Sequence, residues 1–424
     1  LAPTRGREVE LVTIGSELLL GFTLDTNGAY LARELAALGV TVVRRTAVGD
    51  DAGGIAAAVR EALERTGAVI TTGGLGPTAD DLTKPSIAAV FGMGMRLDPA
   101  ILEGLRALWA SRGWGRELPK ANEQQALVPE GATILPNRHG SAPGIWLEDA
   151  RGWVAMLPGV PREMRGMFTD ELLPRIRERF AAGGDATPVV LSRTVRTTGI
   201  SESALADAIA PIATSLAGVD LAYLPGWEGV DLRVTSHGRP RADAERVLGA
   251  AEGELRAVVG RHVYGVDGAD LAAVVLDLCR DRGFVLAVAE SCTGGLLGGR
   301  ITAIPGSSQF FVGGVIAYAN EVKATHLGVG DDTLIQFGAV SEETAREMAS
   351  GVRARYRADV AMAITGIAGP DGGTPDKPVG TVCIAVDVRG VVQSAKRQLV
   401  GDRQEVRLRS TQWVLDLARR ALMS

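Results

Sequence analysis

Short apolar runs alternate along the chain with stretches in which apolar residues recur at helical spacing, and the two periods locate strands and helices. Val9 to Ile14 reads as a strand. A helix is predicted from near Asp25, with Leu31, Leu35 and Leu38 on one face and a stop at Gly39. Val40 to Val43 is a second strand. A helix bearing Ile55, Val59 and Leu63 follows and ends at Gly67, and Ala68 to Thr71 is a third strand. This rhythm predicts parallel strands with right-handed crossovers. It continues to about Arg179, after which Ala181-Ala182-Gly183-Gly184-Asp185 marks a boundary.

From Pro188 to about Val266 the texture changes. Val189 to Val195 reads as a strand and Ser201 to Ile212 as a helix. Two strands lie near Val219–Tyr223 and Val230–Ser236, before a charged helix from Arg241 to Val259. From Gly268 the β/α alternation returns, with strands at Phe284–Val288, Val312–Ala317, Val360–Ile364 and Val382–Val388. The closing helix carries Val406, Trp413 and Leu417 on one face. The fold class is α/β: two α/β domains with mostly parallel sheets, residues 1–180 and 267–424, joined by a small α+β module at 187–266.

Composition narrows the chemistry. Lys plus Arg is 45 and Asp plus Glu is 50, so the net charge of −5 offers no bulk attraction to nucleic acid or anionic membrane. No apolar run is long enough to span a bilayer. The N-terminal LAPTRGREVE lacks the apolar core of a signal peptide, which points to the cytoplasm, and its Leu suggests a processed, non-standard or clipped start. Cys279, Cys292 and Cys383 are too few and dispersed for a disulfide framework or zinc site. Carboxylates, hydroxyls and backbone amides must carry most of any function. The 54 glycines gather where strand patterns end, at Gly73, Gly74 and Gly76, at Gly294 and Gly295, and at Gly366 and Gly369. Those are the places where ligands approach an open α/β sheet.

In the first region Thr71-Thr72-Gly73-Gly74-Leu75-Gly76-Pro77-Thr78-Ala79-Asp80-Asp81 follows a strand directly. Its amides suit an anion-binding nest, with Thr72 and Thr78 adding hydroxyls. Asp80 and Asp81 can hold a hard divalent cation, and Lys84, one turn after Asp80, reaches toward the same anion. The plainer reading is a glycine-rich turn with Asp80 capping a helix. Polar loops at Gly15-Ser16-Glu17, Asp25 and Asn27, Asn137 to Gly144, and Pro158 to Glu163 are expected to meet the turn at one sheet edge.

TTGGLGPTADD and PGVPREM resemble the molybdopterin-binding fold, and their order is most similar to the N-terminal domain of the CinA (competence/damage-inducible) family. The resemblance extends over the whole chain, and in that family the middle module is KH-like. It implies a metal-dependent ADP-ribose pyrophosphatase. Asp80 and Asp81 would bind a divalent metal (Mg, Mn or Co), and Thr72, Gly73, Gly74 and Lys84 would hold phosphates. A pterin-binding role uses the same cradle and stays open.

In the last region Ala289-Glu290-Ser291-Cys292-Thr293-Gly294-Gly295 joins a strand to an apolar helix. A serine there sits at the positive end of a helix dipole, which suits a nucleophile whose substrate becomes an oxyanion. Alternatively Ser291 or Thr293 caps the helix. Tyr318-Ala319-Asn320-Glu321-Val322-Lys323 and Thr365-Gly366-Ile367-Ala368-Gly369-Pro370 follow further strands, and Gly401-Asp402-Arg403 opens the last helix with a phosphate-clamping cation. Cys292 is the rival nucleophile and His326 a rival base.

AESCTGG, YANEVK and TGIAGP resemble the CinA C-terminal domain, the amidase of nicotinamide mononucleotide. The resemblance implies hydrolysis to nicotinate mononucleotide and ammonia without a cofactor. Ser291 would be the nucleophile, activated by Lys323 or Tyr318. Thr365, Thr293, Gly294, Gly295 and Gly366 would serve oxyanion and phosphate. Arg403, or equally Arg407, would meet the phosphate. In the middle module Gly226-Trp227-Glu228-Gly229 falls between predicted strands and reads as a hairpin turn rather than an RNA clamp, leaving that module as a spacer or dimerisation element. The expected whole is a cytoplasmic homodimer that recycles pyridine nucleotides and binds no nucleic acid or membrane. The competing expectation is a nucleotide- or pterin-binding regulator with degenerate sites.

Overall fold

The computed structural model describes residues 6–113, 117–180 and 187–424. The boundary expected at 181–185 lies outside the described residues. By internal contacts the chain divides into two compact units, Leu1–Leu191 with Ser236–Glu245, and Ser192–Thr235 with Arg246–Ser424.

In the first unit β1 (Glu8–Ile14), β2 (Thr41–Val48) and β3 (Ala68–Thr72) pair in parallel in the order β2-β1-β3. The intervening helices Thr26–Ala36 and Ala52–Thr66 are capped by Asp25 and Asp51, whose carboxylates accept from the amides of Gly28 (2.7 Å) and Gly54 (2.6 Å). Successive strand residues feed opposite faces of the sheet. Val9, Leu11 and Ile70 pack with Leu31, Leu35 and Phe168, while Val12, Ile14 and Val69 pack with Ile55, Val59 and Ile87.

The expected crossover rhythm stops after β3. A ribbon of β4 (Met95–Leu97) and β5 (Leu127–Pro129) comes first. Then β6 (Thr133–Leu135), β7 (Gly144–Asp149) and β8 (Gly152–Leu157) complete the order β2-β1-β3-β8-β7-β6. β8 runs parallel to β3, but β7 is antiparallel to β8 because only Ala150 and Arg151 join them, and so short a turn permits nothing else.

β9 (Pro188–Thr197), β10 (Asp220–Pro225), β11 (Val230–Pro240) and β12 (Val263–Val266) form a separate sheet in the order β10-β11-β9-β12. The Gly226 amide donates to the Gly229 carbonyl at 2.8 Å, so residues 226–229 are the hairpin turn between β10 and β11.

The larger sheet of the second unit has the order β14-β13-β15-β16-β17, built from β13 (Leu286–Glu290), β14 (Phe311–Ile316), β15 (Val360–Gly366), β16 (Thr381–Val388) and β17 (Val391–Gln398). β14, β13 and β15 are parallel, and β16 is antiparallel to both its neighbours. One face packs on Leu271, Val275, Val414 and Leu415, the other on Leu327, Met348 and Val352. Cys279, Cys292 and Cys383 are buried and unpaired. No helix among the described residues is long and apolar enough to cross a membrane.

Two candidate catalytic sites

β13 delivers Ser291 to the end of three adjoining parallel strands. The Ala317 amide donates to the Glu290 carbonyl (2.7 Å) and the Ser291 amide to the Ile364 carbonyl (2.9 Å), so both flanking strands clamp the main chain at the serine. Lys323 stands on the helix Asn320–Leu327 and turns back into the interior, where it is 1% exposed. Its Nζ donates to the carbonyls of Ala317 (2.9 Å) and Tyr318 (3.1 Å) and lies 3.1 Å from Ser291 Oγ. Burial lowers its pKa from the ordinary 10.5. A neutral amine has two N–H groups and one lone pair. With the hydrogens directed at the two carbonyls, the lone pair faces the serine hydroxyl, which is the arrangement a general base requires.

The helix after Ser291 is not capped as the sequence suggested. It spans Leu296–Thr302, its N-cap is Gly295 at φ +97°, and neither Ser291 nor Thr293 bonds to its first turn. The Glu290 carboxylate, 1% exposed, takes that place by accepting from the amides of Gly295 (3.1 Å), Leu297 (3.0 Å) and Gly298 (2.8 Å). The positive end of the helix is therefore already neutralised by the residue before the serine. The Gly294 amide is committed to the Ser291 carbonyl (3.1 Å), so neither glycine amide is free for a substrate, contrary to expectation. Thr293 Oγ1 is buried without a hydrogen-bond partner.

Tyr318 joins the cluster through its carbonyl alone. Its ring is 61% exposed and its hydroxyl accepts from Arg403 Nη2 at 3.3 Å, so the phenol does not activate Ser291. Arg403 also reaches the Gly369 carbonyl. Arg407 instead braces the serine turn, donating to the carbonyls of Cys292 (3.1 Å) and Thr293 (2.8 Å). Thr365 donates its hydroxyl hydrogen to the Ala339 carbonyl (2.7 Å), and Gly366 pairs with Val382 in the sheet. Burial pushes the Cys292 thiol up to about 12, which leaves it inert. His326 is exposed beside Thr325.

In the first unit a cleft of about 420 Å³ opens at the ends of β1, β3 and β8. Of the expected loops, Asp25 and Asn27 stand outside the lining, while Gly15 and Glu17, Gly73 to Gly76, Ser141, and Pro158 to Val160 line it. Asn27 ties the last of these down by donating to the Gly159 carbonyl at 2.7 Å. Gly73 (φ +105°) is required because a Cβ would fall 2.1 Å from the Ile14 carbonyl oxygen. Its amide bonds the Leu157 carbonyl (3.1 Å), and Gly74 follows at φ +63°.

The anion in this nest is the protein's own. Asp81 Oδ1 accepts from the Gly76 amide (2.8 Å), and Oδ2 from the Thr78 amide (2.7 Å) and hydroxyl (2.6 Å). Thr72 is buried beneath the loop and does not line the cleft. Nor does Lys84, which is 3% exposed and donates to the carbonyls of Gln124 (2.8 Å) and Gln125 (3.1 Å), its pKa pushed down to about 8 by burial. Both placements correct the expected phosphate contacts. β3 ends at Thr72 in the core, and the lining of the cleft begins one residue later, at Gly73.

Sequence reasoning brought Glu17 and Glu163 to this edge as loop residues without giving either a role, and it missed Asp50; all three join Asp80 and Asp81 in a lining that holds no Lys or Arg among the described residues. Asp50 accepts from the Ser16 amide and hydroxyl (both 2.8 Å), and Glu163 from Asn137 Nδ2 (2.6 Å). Among the described residues no group of three or more His, Cys, Asp or Glu side chains can hold a metal ion by itself. The donor set fits a hard cation that arrives with phosphate oxygens and needs only one or two carboxylates, with Asp80 on the exposed rim to receive it.

Comparison with known proteins finds three matching segments. Residues 10–178 match the probable molybdopterin binding domain, 192–265 the damage-inducible protein CinA KH domain, and 268–422 the CinA C-terminal domain. A CinA-like protein of Gemmatimonas aurantiaca is 60% identical over 98% of this chain and 96% of its own. A putative competence-damage inducible protein of Symbiobacterium thermophilum is 43% identical over 98% of each. The crystal structure of a competence/damage inducible protein from Agrobacterium tumefaciens is 43% identical, covering 36% of this chain and 94% of its own, with a TM-score of 0.35.

Proposed function

From the premise that this chain belongs to the CinA family, we propose that its second unit hydrolyses nicotinamide mononucleotide to nicotinate mononucleotide and ammonia. The observation that carries this reading is the buried contact between Lys323 Nζ and Ser291 Oγ. Ser291 Oγ attacks the amide carbonyl as its proton passes to neutral Lys323. The ammonium so formed returns the proton to the departing nitrogen, releasing ammonia and leaving an ester on Ser291. Water then attacks that ester with Lys323 again as base, and the serine leaves with its proton restored. Tyr318 and Arg403, joined by a hydrogen bond of 3.3 Å, would meet the phosphate end of the nucleotide.

The first unit is proposed to cleave ADP-ribose to AMP and ribose 5-phosphate with a divalent cation. A diphosphate cannot enter a cleft lined by five carboxylates and, among the described residues, no basic side chain unless its charge is neutralised. When bound, the cation would neutralise phosphate oxygens and polarise the phosphorus for attack by water. Asp80 would hold it at the rim, and Asp81 keeps the loop beneath in shape. Incubating the full chain with each nucleotide, with and without divalent cation, and analysing the products tests both halves. Ammonia from the mononucleotide is expected in either condition, and ADP-ribose cleavage only with the cation. No ammonia at any pH would end the amidase reading, and cleavage undiminished by a chelator would end the other.

A further inference from the structure

Between the turn that joins β10 to β11 and the closing helix Arg403–Met423 lies a pocket of about 600 Å³, inside the range of about 300–1,000 Å³ common to small-molecule sites. All of it belongs to the second unit. The helix contributes Arg409, Gln412, Trp413 and Asp416, whose spacing puts them on one face. Arg403 and Arg407, at the serine site, fall on another face of the same helix. The turn contributes Trp227 and Glu228, and β17 contributes Arg397. These walls are held by their own contacts. Arg300 donates to Gln412 Oε1 (2.7 Å), pairs with Glu228 (3.1 Å) and lies over the Trp227 ring at 5.2 Å. Gly229, at φ +151°, lets the turn press against β9, because a Cβ there would fall 2.0 Å from the Thr197 carbonyl oxygen.

The unspent polar groups in this lining are the second observation. Glu228 is held between Arg196 and Arg300, and Asp416 between Arg419 (2.8 Å) and Arg420 (2.7 Å). Among the described residues neither Arg397 nor Arg409 has a carboxylate partner. The Arg397 guanidinium rests 4.8 Å over the Trp413 ring, which orients it while leaving its N–H groups unpaired. Gln412 is 2% exposed, and its Nε2, like Arg409 Nε, is buried with no acceptor among the described residues, although buried donors are almost always satisfied. The remaining carboxylate of the lining, Glu202, is exposed and opens the helix Glu202–Ile209.

We infer that this pocket binds a sugar phosphate, with the phosphate on Arg397 and Arg409, the sugar hydroxyls on Glu202 and Gln412, and a C–H face of the sugar against Trp227. Guanidinium groups pair with phosphate oxygens through a planar fork of N–H donors. A carboxylate accepts from hydroxyls and repels a second anionic group, so Glu202 favours a ligand whose other end is neutral and hydroxylated. The negative face of an indole attracts the weakly positive C–H groups of a sugar ring. Binding here would require neither of the activities proposed above.

The test is calorimetric titration of the full chain with ribose 5-phosphate and with glucose 6-phosphate in metal-free buffer, alongside inorganic phosphate and ribose. At least one sugar phosphate is expected to bind saturably, and phosphate and ribose each at least tenfold more weakly. Arg409→Lys, which keeps the charge but loses the planar fork, and Arg397→Ser should each weaken the sugar phosphate at least tenfold. Arg403→Ser, which alters the serine site instead, should leave that affinity within twofold of the parent's. Melting temperatures confirm that each variant is folded, and Arg409→Lys is conservative enough to carry the comparison alone. Absence of saturable binding, phosphate or ribose binding as tightly as the sugar phosphate, or affinity unchanged in Arg409→Lys would each overturn the proposal. So would affinity lost in Arg403→Ser, which would place the ligand at the serine site.

Discussion

The Glu290 carboxylate meets the Gly298 amide at 2.8 Å, so the residue immediately before the serine ties down the far side of the serine's own turn. Three main-chain donors converge on this one side chain, and a glutamine offers one acceptor oxygen in place of two. Glu290→Gln is expected to lose about 1–3 kcal/mol of stability and at least tenfold in kcat for ammonia release, with KM little changed. Denaturant unfolding and steady-state kinetics read the two effects. Full activity in a destabilised variant would show that the turn needs no such tie.

Lys323 must lose its proton before it can accept one from Ser291. Because burial holds its pKa below the ordinary 10.5, the rate of ammonia release should rise with pH through that lowered value and then level off. Lys323→Arg keeps the cation but cannot deprotonate, and Lys323→Met removes the amine. Both should lower kcat by a factor of about 10² or more, as should Ser291→Ala. A pH-independent rate in the parent protein would mean that no titrating base governs the reaction.

Asp80 and Asp81 are adjacent in sequence but do different things. Asp80→Ala should abolish cation-dependent ADP-ribose cleavage with stability unchanged within about 0.5 kcal/mol. Asp81→Ala strands the amides of Gly76 and Thr78 and should cost about 1 kcal/mol as well as activity. Ammonia release should be normal in both variants. Equal melting temperatures for the two would remove the distinction.

Lys84 supplies a pH signature in the first unit. Its folded pKa of about 8 lies below the ordinary 10.5. Between those values the unfolded chain binds a proton that the folded chain does not, so stability rises with pH across that window. Below pH 8 the full cost of the buried charge remains. The rise is of the order of 3 kcal/mol, and Lys84→Met should lack it. Parallel stability curves for the two proteins between pH 8 and 10.5 would refute the assignment.

Much of this architecture was legible in the chain. Asp25, Gly67 and the apolar positions of β1 to β3 announce their elements through local rules of capping and period. The reversal at β7 and β8 was not, because the decisive feature is a two-residue turn at Ala150-Arg151, marked only by the single glycine, Gly152, that opens β8. β17 was missed because VVQSAKRQ is a half-exposed edge strand whose polar residues resemble a loop. Lys323 and Ser291 were expected together, and a separation of 32 positions carries the chain from the end of β13 to the helix that follows β14. Lys84 shows the opposite failure. Helical spacing put it near Asp80, but spacing does not reveal that the side chain points inward to main-chain carbonyls. Glu290 stood in plain view, and only a helix capped at Gly295, rather than at Ser291 or Thr293, gives its carboxylate a task.

The three cysteines turn the second unit into its own reporter. All are buried, and burial pushes their thiols up to about 12, 12 and 11 for Cys279, Cys292 and Cys383, so an alkylating reagent finds almost no thiolate in the closed protein. Modification then waits on opening. Because Cys292 adjoins the nucleophile and Cys279 lies on the separate helix Leu271–Arg282, their separate labelling rates distinguish a local breathing of the catalytic turn from collapse of the whole core.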